Sequence, residues 1–139
     1  MTIEQRHLVR KSFQIVERAP IVSALVFYRR LFELEPGLRQ LFRHDIEAQS
    51  QKLMDTLRAS LGMLDQPERL IAELEALGAR HMTYGVRDEH YAIVGRALLE
   101  MLAEVLNADF TPETRAAWAA LYGLISDTMK RGARAQAAA

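Results

Sequence analysis

The chain has 139 residues, half of them apolar and about a quarter charged, which suits one globular domain with a sizeable core. Its 18 basic and 18 acidic residues balance, so no strong field draws it to nucleic acid or to an anionic membrane. The absence of cysteine excludes disulfides and zinc–thiolate sites, and neither the charged start MTIEQRHLVRK nor any apolar window suits a secretion signal or a membrane span, so a cytoplasmic chain is expected.

The first helix is expected to begin after Thr2, with Gln5 completing a capping box. Pro20 opens the next, PIVSALVFYRRLFEL, because a missing N–H costs nothing in a first turn. Phe27, Tyr28 and Phe32 recur along it. A buried Tyr28 hydroxyl needs a partner, and Gln49 is one candidate. Pro36 opens a short segment that ends near Phe42. Asp45 caps a helix over 46–64, whose face carries Gln49, Leu53, Leu57 and Ser60. Asp65 and Glu68 have capping-box spacing around Pro67, ahead of a helix in which Leu70, Leu74 and Leu77 recur at three and four. That helix is expected to pack near its predecessor and to end at Gly85 as a C-cap. Asp88 caps the segment from about Glu89, with Val94, Leu98, Met101 and Val105 in register. Thr111 and Pro112 start the last helix. Lys130, Arg131 and Arg134 lead into an alanine-rich end expected to fray over 130–139. With no period-two alternation or hairpin dipeptide, the pattern predicts one all-α domain over 1–139, with six substantial helices and one or two short ones.

Within the stretch LGARHMTYG, His81 shares a helix face with Leu77. A lone histidine there is more often packed or solvated than a ligand. His7, His44, His81 and His90 form no i, i+4 pair and no HExxH, so they make no metal site of their own. One histidine holds a transition metal only when something else supplies the remaining ligands. A porphyrin does so, and its flat apolar body also suits two helices lined with leucine and aromatic residues. Spacing leaves a plain helical bundle equally open.

Four stretches in order, FYRRLFELEPGLRQLF, QSQKLM, RHMTYGVRDEHYAIVGRALLEML and AWAALYGLISD, resemble the globin family over nearly the whole chain. They are most similar to bacterial single-domain globins and to the haem domain of flavohaemoglobins. The resemblance implies a three-over-three helical sandwich around one haem b, an iron protoporphyrin IX. It implies that His81 is the proximal iron ligand and that Phe42 packs on the haem face. Tyr28 and Gln49 correspond to the distal pair, and Leu53 to the apolar residue that limits space over the iron. Leu57, Leu77, Val86, Tyr91, Val94 and Leu98 correspond to pocket walls. His44 is expected to face either a haem propionate or solvent, and His90 either the proximal side or the surface. Flavohaemoglobins continue into reductase domains, and this chain stops before them. They also join a glutamate to the tyrosine and proximal histidine, and Ala133 stands at the aligned position here.

The function this resemblance implies is high-affinity binding of dioxygen, and of nitric oxide and carbon monoxide as related diatomic ligands. Two alternatives are nitric oxide dioxygenation, in which Tyr28 and Gln49 would be catalytic and a separate reductase would be needed, and gas sensing through a separate output partner. Neither nucleic acid nor membrane is an expected partner.

Overall fold

The computed structural model describes residues 1–42 and 45–138. Among the described residues six α-helices follow one another: α1 (Ile3–Val16), α2 (Pro20–Leu34), α3 (Ile46–Gly62), α4 (Pro67–Thr83), α5 (Asp88–Leu106) and α6 (Pro112–Ala138). Two short 3₁₀ turns, Pro36–Leu41 and Asn107–Asp109, lie after α2 and α5.

Local chemistry explains most of the helix starts. The Thr2 hydroxyl accepts from the Gln5 N–H, and the Gln5 side chain accepts from the Thr2 N–H, both at 3.0 Å. Asp45 accepts from the Glu47 N–H at 2.9 Å, and Thr111 from the Thr114 N–H at 3.1 Å. Prolines occupy the first turns of α2, α4 and α6.

Two expected caps are corrected. Asp65 does not cap α4, whose flanking Gln66 makes no side-chain cap either. Its carboxylate is taken by Arg6 at 3.1 Å and Arg10 at 2.9 Å, and charge-assisted bonds outcompete a neutral amide donor. Asp88 is inside the first turn of α5 rather than before it. The terminal donor there, the Arg87 N–H, is accepted by the His90 ring at 3.0 Å. This capping contact is where the structure places His90. At the far end, α6 continues to Ala138, through most of the stretch expected to fray, and Gly132 within that stretch is buried.

The helices form one core. α4 lies along α6, α2 crosses α5 and also carries α3, and α1 rests on α6 and α5. Leu31, Met54, Leu70, Leu74, Met101, Leu102, Trp118 and Leu121 have almost no exposed surface. Each such side chain contributes about 1.5–3 kcal/mol by leaving water. α3 and α4 are successive in the chain but are not packed on one another; α3 reaches the core through α2, and α4 through α6. The expected close α3–α4 packing is therefore corrected: neither helix takes its main contacts from the other.

Candidate functional site

His81 lies on the last turn of α4, and the sequence makes that end rigid. Gly85 has φ +95°, a conformation that costs glycine little and other residues much. The turn is a Schellman motif: the Val86 N–H donates to the His81 carbonyl at 3.2 Å, and the Gly85 N–H to the Met82 carbonyl at 3.1 Å. The His81 Nδ1–H donates to the Leu77 carbonyl at 2.9 Å. That bond fixes the tautomer and leaves Nε2 as the lone-pair nitrogen. Burial lowers the His81 pKa, opposed by the Leu77 bond and aided by the Arg80 charge, so the ring is held neutral. A neutral imidazole is the form that binds a metal.

Tyr28, on α2, is buried within an aromatic group. Its ring meets Phe27 edge-on at 5.0 Å and Phe42 edge-on at 5.2 Å, and stacks with Phe32 at 6.0 Å. Burial pushes its phenol up to about 12. The hydroxyl donates to Gln49, but to the main-chain carbonyl at 3.3 Å and not to the side chain. The sequence named the partner residue and missed the atom, because helix spacing places a residue without saying which of its acceptors is reachable. The Gln49 side chain is half-buried.

Around these groups, Leu57, Tyr91 and Leu98 are buried in the core. Phe42, Leu53, Leu77, Val86 and Val94 pack against the core yet stay only partly covered. Incompletely covered apolar side chains on α3, α4, the turn after α4 and α5 suit a flat apolar group. Together with the free Nε2 of His81, they fit a haem. His44 lies outside the described residues.

Two features were missed from sequence. The Tyr122 hydroxyl donates to the Tyr91 carbonyl at 2.6 Å, linking α6 to α5, and the Lys130 ammonium lies 5.6 Å from the Tyr91 ring centre. Both join positions at least 31 residues apart, and no local pattern signals them. A separate hollow of about 520 Å³ opens beside Tyr28, Phe32, Arg39 and Phe42. Gln49, Leu53 and His81 do not line it.

Comparison with known proteins agrees with the all-helical fold. The family model described as Globin matches residues 25–129. The flavohemoprotein of Chromobacterium violaceum is 32% identical over 129 residues, covering 91% of this chain and 32% of that protein. The flavohemoprotein of Bordetella pertussis is 36% identical over 129 residues, with the same coverage. The chain thus spans about a third of the length of these curated relatives. Among solved structures, the crystal structure of a hexacoordinated heme protein from an anhydrobiotic tardigrade, at pH 4, matches with a TM-score of 0.87. That likeness covers 96% of each chain at 17% identity. At such identity it speaks to fold alone, and the family match identifies that fold as the globin fold.

Proposed function

We propose, given that this chain belongs to the globin family, that it binds one b-type haem between α3 and α4 and retains dioxygen and related diatomic gases there with high affinity. The observation that carries the proposal is His81, whose Nδ1 is committed to the Leu77 carbonyl and whose Nε2 is bare. His81, through Nε2, would hold the haem iron, which would supply the gas-binding chemistry. Leu53, Leu77, Val86 and Val94 cover the flat faces and exclude water, with Leu57, Tyr91 and Leu98 behind them. Phe42, held edge-on against Tyr28 and Phe32, would pack on the haem face.

On the opposite side Tyr28 offers an O–H, and the half-buried Gln49 side chain an N–H. Either donor favours a ligand that gathers negative charge, as dioxygen does, over carbon monoxide. Dioxygen held in this way also suits nitric oxide dioxygenation, in which NO, O₂ and one electron from a separate reductase give nitrate. That the curated relatives are flavohemoproteins supports a flavin-dependent source for that electron.

Titration with ferric haem, followed by reduction, tests the primary reading. The expected result is one haem per chain, a strong Soret band and a reversible change with oxygen. His81→Ala should lose the pigment or the imidazole spectrum. Spectra unchanged in that variant refute the assignment of His81. Rapid mixing of the oxygenated protein with nitric oxide tests the second reading, and a reaction far below about 10⁸ M⁻¹s⁻¹ refutes it.

A further inference from the structure

α4 and α6 meet backbone to backbone at one place. A Cβ added to Gly78 would run into the main-chain carbonyl of Met129, and a Cβ added to Gly132 would run into that of Glu75. The contact is reciprocal, since each glycine faces the backbone of the other helix. Glu75 and Gly78 are three residues apart on α4, as are Met129 and Gly132 on α6, so both contacts fall within one turn of each helix. No flexible side-chain end is available to move aside. His81 is three residues beyond Gly78, about 4.5 Å along the axis, and its ring is bonded to the carbonyl of Leu77, the residue beside Gly78. Main-chain contacts thus connect α6 to the imidazole without an intervening side chain.

We infer that Gly78 and Gly132 are positioning residues that clamp α4 onto α6, so that the place of His81 is set before haem enters. The inference rests on the reading of His81 as the haem ligand for its consequence, but the clamp is measurable without haem. A preformed ligand position removes an ordering cost from binding.

Hydrogen exchange on the full chain, with and without haem, provides the test, using the wild type, Gly132→Ala and Gly123→Ala. Gly123 lies on the same helix with nothing within 4 Å of an added Cβ, so it serves as the control. Without haem, amides over 74–81 of the wild type should be protected to within about tenfold of those over 126–133. In Gly132→Ala, exchange over 74–81 should rise by about tenfold or more while 20–34 keeps its protection. Haem loss should accelerate by a similar factor, and the iron–histidine vibration of the ferrous protein should shift. Gly123→Ala should accelerate neither exchange nor haem loss, and should leave the vibration in place. Free exchange over 74–81 in the wild type overturns the inference, as does a Gly132→Ala protein that behaves like Gly123→Ala. If Gly132→Ala does not fold, the wild-type comparison decides. A wild type that takes up no haem refutes the functional reading, and the exchange pattern then judges the clamp separately.

Discussion

The Tyr28 phenol combines a buried ring with a long hydrogen bond, and both properties bear on gas retention. At 3.3 Å its bond to the Gln49 carbonyl is near the outer limit for an O–H donor. A charged acceptor within reach would compete well for that proton. A hydrogen bond to such an acceptor contributes about 1.5–3 kcal/mol, so Tyr28→Phe should speed oxygen dissociation by about ten- to a hundredfold. Flash photolysis or stopped flow reads this directly, and an unchanged rate removes Tyr28 from the role. Burial has a second consequence. Tyr28 and Tyr122 both hold their protons above the usual tyrosine range, chiefly through desolvation, with the Tyr91 charge adding at Tyr122. Unfolded phenols release theirs near about 10. Above that pH the unfolded chain carries fewer protons than the folded one, so stability falls as pH rises. Urea unfolding from about pH 8 to 11 should show the loss, and Tyr28→Phe should lessen it, the Tyr122 part remaining. A wild-type curve that stays level would show these phenols to be less buried than the structure has them.

Helix ends show which competitor wins a polar side chain. Thr2, Asp45 and Thr111 cap as their positions suggest, each accepting from a main-chain N–H of its own first turn. Asp65 has the same credentials, but two guanidinium groups from α1 claim its carboxylate. Its motif was visible in the sequence and its outcome was not, since Arg6 and Arg10 are more than 50 residues away. Glycines along the helices give a sharper contrast. Nothing lies within 4 Å of a Cβ added at Gly62 or Gly123. Alanine at Gly123, inside α6, should therefore stabilise the fold by about 0.5–1 kcal/mol, through lower chain entropy in the unfolded state and better helix propensity, and at Gly62, the last residue of α3, by less. Chemical denaturation of Gly62→Ala and Gly123→Ala checks this. A loss of stability at either would mean that the space is not open.

Across the whole molecule, α1 and α6 are tied by a buried bond from the Trp118 indole N–H to the Ser12 hydroxyl at 2.7 Å. Ser12→Ala would strand that donor in the core, so the midpoint of thermal unfolding should fall by an amount equivalent to about 1–3 kcal/mol. A neutral result would mean that the indole finds another acceptor. Ser12 and Trp118 each read from sequence as ordinary helix residues, and only their juxtaposition makes them a pair. The same division runs through the molecule. Proline and hydroxyl caps, three-and-four periodicity and Gly85 made the six helices legible, because each depends on chemistry within a few residues of chain. The ordered landmarks around Tyr28, Phe42, Gln49 and His81 carried the family resemblance in the same linear way. Tertiary structure alone decided that α3 and α4 take their main contacts from other helices, that Tyr28 donates to a main-chain carbonyl, and that His81 leans on Leu77. It also separated Gly78 and Gly132, pressed against a neighbouring backbone, from Gly62 and Gly123, which face open space. These four glycines are the same residue in the same kind of helix, and what differs is the distance to atoms far away along the chain, which local pattern does not encode.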